Sequence, residues 1–257
     1  GMTFLGLLGR CSAGVGLLLV LCQCGESPSE AAGDAGQELR QTSEELAAKA
    51  EQEGLEPADI GELTDAAERL GVSMEKAGGD EAKLGRVIQK LVQSQREMNA
   101  RLDPTLLRRA CDFEALAQTR DYQASYDLIA RYRRANEVML EQIRQGKLIE
   151  DAKRFSDEEG LSAQQKAEFV GGIVDATKLQ RPHLIEIREI DAELCENNDK
   201  MIDLLKANDA SWTWSKEAKT VVSEDTTLLD QLDSLFAENQ KLAEAQFKAQ
   251  AKAARVN

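Results

Sequence analysis

The sequence holds a single histidine, His183, among 257 residues, and aromatic residues make up only 4% of it. One histidine excludes a metal site built on a histidine pair and removes nearly every Ser-His or Cys-His arrangement used in nucleophilic catalysis. Following Pro182, His183 reads as a solvent-facing residue at a helix start. The five cysteines form no Cys-x-x-Cys and no Cys/His spacing suited to zinc. A glycine-rich phosphate loop and a nucleophile elbow are also missing, so nothing calls for a metal or a cofactor. Scarce aromatics weigh against a wide globular core, which draws on Phe, Tyr and Trp, whereas a narrow bundle with Leu and Ala seams needs few. Basic charge is short too: 32 Lys and Arg face 46 Asp and Glu, a net charge of −14. Nucleic-acid affinity comes from neutralising phosphates, so this balance excludes general nucleic-acid binding. Strand-period alternation never runs beyond three or four residues, and no long-range repeat occurs.

Long apolar runs are confined to the amino terminus. Arg10 precedes an apolar stretch from Cys11 to Cys22, no acid appears before Glu26, and a polar tract of small residues follows to Gly36. A cation, a short greasy segment and a polar tether describe an export signal. A membrane-spanning helix needs about 20 apolar residues. Extending this run back through Thr3–Leu8 reaches that length only by placing Arg10 in the bilayer, which is costly. Removing residues 1–23 leaves 31 Lys and Arg against 46 acids.

The segment Leu21-Cys22-Gln23-Cys24-Gly25 resembles the lipobox of bacterial lipoprotein precursors. That motif is a Leu, two small residues and the cysteine that receives the lipid. With Cys24 as acceptor, Leu21 and Cys22 fit and Gln23 departs from the pattern. With Cys22, Leu19 and Val20 fit and Leu21 is too large. Cys24 is preferred because Gly25 and the tether follow it directly. The resemblance implies a membrane partner through an amino-terminal lipid; the alternative is ordinary cleavage between Gly25 and Gly33 and soluble release. It also implies a bacterial cell-envelope location, periplasmic or at the outer surface.

Helical spacing fills the rest. Residues 24–37 are expected as a flexible tether and residues 38–78 as short, weakly apolar helices that are loosely attached. Leu39, Leu46, Ala47 and Ala50 mark the first helix. Pro57 opens a second, carrying Ile60, Leu63, Ala67 and Leu70, which Gly71 closes. Gly78-Gly79 is the expected boundary with a bundle over residues 79–255. There Asp80 is expected to cap a helix with Leu84, Val87, Ile88, Leu91, Val92 and Met98, and Asp103-Pro104 restarts the chain. One helix then shows Leu106, Leu107, Ala110, Cys111, Phe113 and Leu116. Another carries Tyr122, Tyr126, Ile129, Tyr132, Asn136, Leu140 and Ile143, continuing through Gly146 to Phe155. Ser162 and Gln165 form a capping box, and Pro182 should kink or break the helix behind it. Leu184, Ile187, Ile190, Leu194, Asn198, Met201, Ile202 and Leu205 resume the stripe. Asn208–Ser211 turns, and Trp214, Ala218, Val221, Asp225, Leu228, Leu232, Leu235, Asn239 and Leu242 form a heptad seam. Such stripes must be buried against one another. The fold expected is all-α: an elongated antiparallel bundle of coiled-coil-like hairpins behind a signal peptide and a tether.

Several constellations have a functional and a structural reading. Arg131, Arg133 and Arg134, interleaved with Tyr122, Tyr126 and Tyr132, would suit an anionic partner. The structural alternative buries the tyrosines in the seam and pairs the arginines with nearby acids such as Asp121, Asp127 and Glu137. Trp214 reads as core, and Trp212 as either a partner contact or a cap on the bundle end. Cys111 and Cys195 would be able to pair in an oxidising compartment, and otherwise are small buried hydrophobes. Glu186, Glu189, Glu193 and Glu196, interleaved with Arg188, form a solvated acidic face, without the Glu-x-x-His motifs of a carboxylate-bridged iron site. Leu161-Ser162-Ala163-Gln164-Gln165 resembles the Leu-Thr-x-x-Gln motif of Spy-like periplasmic helical chaperones. Ser162 stands for Thr, and one copy is present where that family shows two. The expectation is a non-enzymatic scaffold, spacer or adaptor that meets a protein partner or itself through helical faces. A ligand-binding or chaperone-like module with an aromatic groove is the alternative.

Overall fold

A computed structural model describes residues 30–255. The export signal, Cys22, Cys24 and the start of the tether lie outside the described residues. The chain is all-α apart from one small hairpin. In order run α1 (Glu30–Glu53), α2 (Pro57–Ala77), α3 (Gly79–Arg101), α4 (Thr105–Ala110), α5 (Phe113–Thr119), α6 (Tyr122–Arg144), α7 (Lys147–Glu158) and α8 (Ala163–Ala207). A 3-10 turn (Asp209–Ser211), strands β1 (Thr213–Ser215) and β2 (Thr220–Val222) and α9 (Thr226–Ala254) follow. The strands pair antiparallel, with Trp214 opposite Val221.

α8 is the spine. Its 45 residues extend about 68 Å at 1.5 Å per residue. The Ser162–Gln165 capping box opens it as the sequence leads one to expect. Pro182, in contrast, sits inside an unbroken helix. The proline removes one backbone bond and crowds the preceding turn. Flanking residues Gln180 and Leu184 are buried and hold that turn in the core. His183 therefore lies in mid-helix and half-buried, not at a helix start.

The front of the chain corrects the expected organisation. α1 begins at Glu30, so the second half of the expected tether (residues 24–37) is helical. Ala32, Ala35 and Leu39 are buried at helical spacing, which ties that half into the bundle. Nor is the 38–78 section loosely attached, because one continuous core runs from Ala32 to Ala254 through both α1 and α2. Gly78-Gly79 is a tight hairpin rather than a domain boundary, with both glycines at positive φ (79° and 59°). Gly71 does not close α2. It lies where α2 and α3 meet face to face: a Cβ on Gly85 would stand 2.5 Å from the Gly71 carbonyl oxygen. Only paired glycines permit that backbone approach.

Four further boundaries differ. Gly78, not Asp80, is the residue capping α3. The helix expected through Cys111 breaks there, and Asp112 starts α5 by accepting from the Ala115 N–H. Gly146, at φ 71°, ends one helix and begins the next instead of being carried through. Last, the seam expected from Trp214 starts only at Thr226, where Asp225 accepts from the Thr227 and Leu228 N–H groups. Trp214 to Val221 belong to the hairpin.

The bundle has two ends joined by α8 and α9. At one, α1 packs along the carboxyl-terminal half of α9, with α2 against α1, α3 against α2 and α7 against α3: Ser43 Oγ donates to the Ala254 carbonyl (2.9 Å), and Gln250 Oε1 accepts from the Leu55 N–H (3.1 Å). At the other, α4, α5, α6 and the hairpin enclose the carboxyl-terminal half of α8. There Phe113 meets Phe236 at 6.2 Å between ring centroids.

Candidate functional site

The expected aromatic, basic stretch lies on α6, which packs antiparallel on α8. Its three tyrosines do not line a groove. Tyr132 and Tyr122 are buried and Tyr126 is half-buried. Every phenol is turned to an aspartate of α8 or of the turn behind it, Tyr126 at the bundle surface. Tyr122 donates to Asp209 at 2.5 Å, Tyr126 to Asp203 at 2.5 Å, and Tyr132 to Asp191. Burial, reinforced by the carboxylate beside each phenol, pushes Tyr122 and Tyr126 above the ordinary tyrosine range. Arg133 joins the same row by pairing with Asp199 at 2.5 Å. The arginine partner therefore comes from α8 and not from Asp121, Asp127 or Glu137. Arg131 and Arg134 stay in solvent.

Trp212 takes the bundle-end role, one of its two expected readings, whereas Trp214 is not the core residue expected. Trp212 is 1% exposed, and its indole N–H donates to the Leu205 carbonyl at 3.1 Å. Arg120 covers it, with the guanidinium carbon 4.2 Å from the ring centroid. The same guanidinium donates to the Trp212 and Asp209 carbonyls, each at 2.8 Å. Arg120 adopts φ 53°, a left-handed conformation that costs a non-glycine residue energy. Those bonds and the stacking offset it. Trp212 is thus the plug of this bundle end, whereas Trp214 is only partly buried on the hairpin.

Cys111 and Cys195 are both free thiols in the core. Burial pushes both upward, Cys195 to about 12. Neither offers a thiolate at neutral pH, and so neither is a nucleophile in this state. The four glutamates 186, 189, 193 and 196 are exposed as expected, but Arg188 is not interleaved among them: it is 2% exposed.

Arg188 belongs to the polar cluster that reasoning from sequence missed. Its Nη1 lies 3.1 Å from Asp191 Oδ2 and donates to Asn136 Oδ1 at 3.3 Å. Asn136 Nδ2 in turn donates to the Arg188 carbonyl at 2.8 Å. Asp191, fully buried, also accepts from Tyr132 and from Gln246 Nε2 at 2.5 Å. Burial pushes the Asp191 carboxyl up, opposed by the Arg188 charge and then by the Tyr132 and Gln246 donors. Helices α6, α8 and α9 thus meet around one ion pair. A second polar layer lies farther along: Asn197 donates to Asn239 at 2.7 Å, and Asn239 to Asn198 at 2.9 Å. A signal for both layers was present, since Arg188, Asp191 and Asn198 fall on the apolar period of α8.

No concave apolar groove collects these groups. Among the described residues the large apolar side chains standing in solvent are Val138, Leu179 and Val222, on three different elements. An open cleft of about 650 Å³ is lined by residues 210–213 and 222–225 at the hairpin base. A smaller one of about 250 Å³ lies between α5 and α6, with Arg109, Asp112 and Asp121 among its lining residues. Neither reaches the buried ion pair. Among the described residues no cluster of His, Cys, Asp and Glu is arranged to hold a metal ion, and no helix is long and apolar enough to cross a membrane. The fold and its closed seam define an all-α bundle protein. No protein-family model, curated protein or solved structure matches the chain.

Proposed function

We propose that the protein is a non-enzymatic helical scaffold or spacer of the bacterial envelope, exported and held to a membrane through a lipid on Cys24. The observation that carries this reading is the burial of Tyr122, Tyr132 and Trp212, with Tyr126 also held to an aspartate of α8. Side chains that would have lined a ligand groove are spent on holding α6, α8 and the hairpin end together. What remains outside is an acidic surface over a rod about 68 Å long, suited to recognition by helical faces and to setting distance. Arg131 and Arg134, free in solvent, are the contact residues of the expected set that stay available to a partner. The amino-terminal tract supports the location: Arg10, a short apolar run and Leu21-Cys22-Gln23-Cys24 before small polar residues. Stable anchoring takes more than one acyl chain.

Metabolic labelling with a fatty acid in a bacterial host tests the anchor. Label is expected on the wild type and on Cys22→Ala, and is lost in Cys24→Ala. An unlabelled wild type, or an intact mass that retains residues ahead of Cys22, would overturn the exported, lipid-held reading.

A further inference from the structure

The Arg188–Asp191 cluster has hydrogen-bonding capacity that the protein does not use. Arg188 Nη1 is taken by Asp191 and Asn136, yet Arg188 Nη2 is buried without a partner. Gln246 Nε2 donates to Asp191 Oδ1 and to the Ile187 carbonyl at 3.0 Å, yet Gln246 Oε1 is buried and accepts nothing. The first is a guanidinium donor seeking an acceptor, the second an amide oxygen seeking a donor. Native cores seldom leave such groups unmet, and the strongly polar guanidinium least of all.

The chemistry of the occupant follows from three facts. Asp191 already neutralises Arg188, so a further ion would add an uncompensated charge to the core. The two orphaned atoms have opposite requirements, so the occupant must both accept and donate. Arg188 is only 2% exposed and Asp191 and Gln246 are fully buried, so the occupant must be small enough to sit inside the core. Water meets all three conditions, and buried waters characteristically serve polar groups of this kind. We propose that the cluster is an internal water-binding site, in which one water accepts from Arg188 Nη2 and a second donates to Gln246 Oε1. The site completes the polar layer where α6, α8 and α9 meet. It stands independently of the envelope role.

A crystal structure of the full chain, at a resolution that orders solvent, tests this. Water density is expected about 2.7–3.2 Å from both Arg188 Nη2 and Gln246 Oε1. Density missing at either atom overturns the proposal, including the case where a side chain has turned to a protein partner instead. Gln246→Leu keeps the Arg188–Asp191 pair and is expected to lose the water at position 246 while keeping the one at Nη2. If density persists unchanged beside the leucine, Gln246 was not holding it and the proposal fails.

Discussion

Replacing Asp191 by Leu removes one half of a buried ion pair. Asp191 has no solvent exposure and Arg188 only 2%, so bulk water cannot take over the lost counter-charge. The substitution strands the guanidinium 3.1 Å from where its counter-charge stood and removes the carboxylate that accepts from the Tyr132 hydroxyl and the Gln246 amide. Breaking a buried pair from one side costs about 3–5 kcal/mol. The orphaned donors are part of the same loss and are not added to it. For a chain of this size each kcal/mol moves the melting temperature by about 2–4 °C, so a fall of about 6–20 °C is expected. Urea unfolding followed by circular dichroism measures it directly, with the midpoint lowered and the slope unchanged. Replacing the cluster as a unit (Tyr132→Phe, Arg188→Met, Asp191→Leu and Gln246→Leu) is expected to recover the loss, because the desolvation of both charges disappears with them. The reasoning is refuted if Asp191→Leu costs less than about 1 kcal/mol, the scale of an exposed pair. It is equally refuted if the fourfold variant is less stable than the single one.

Two glycine substitutions should act in opposite directions. Gly85→Ala drives a methyl to 2.5 Å from the Gly71 oxygen and 2.6 Å from the Glu75 nitrogen, for a loss of about 1–3 kcal/mol. Gly172→Ala meets no atom within 4 Å and should gain about 0.5–1 kcal/mol of helix stability; equal urea midpoints for the pair would defeat both statements. Cys111 and Cys195, their thiols raised by burial, should resist iodoacetamide at pH 8 in the native chain and react on unfolding, whereas rapid native modification of either would contradict the core placement. Glu159 is held below the ordinary carboxylate range by Arg86 (2.8 Å) and Lys90 (3.0 Å). Its lowered folded value means that it stabilises the chain above its unfolded pKa and loses that contribution as pH falls through the folded one. Glu159→Gln should therefore shallow the acid limb of a stability–pH curve below about pH 4.5, and an unchanged limb would show that the pair contributes nothing.

Helical periodicity made the stripes of α3, α6 and α8 legible, because a long amphipathic helix repeats its signal many times. Breaks were less visible, since each rests on a single residue. Gly146 ends a helix by its positive φ, Cys111-Asp112 by a new cap, and Pro182 fails to end one because tertiary packing outweighs local preference. Gly71 looked like a helix end; its use with Gly85 in a close helix contact exists only once α2 and α3 are folded together. Trp214 was misplaced as core because a three-residue strand leaves no period to read. As for the site, the tyrosines' burial was one of two readings the spacing left open, and their aspartate partners lie 59 to 87 residues away. Arg188 was misplaced by its neighbours: four exposed glutamates nearby suggested a solvated face, although its own position falls on the buried period.

The length of α8 has a consequence for how the molecule comes apart. Because one helix is shared by both ends, neither end keeps its own complete set of packing partners when the other opens. Fraying at Trp212 withdraws support from the turns that carry Asp203 and Asp199, and through them from Asp191 at the middle. Amide exchange should accordingly be slowest around Leu184 to Leu205 and report a single cooperative opening rather than two separate ones. A pull applied at either tip would be carried along this helix, and the chain would respond as one rod that yields all at once.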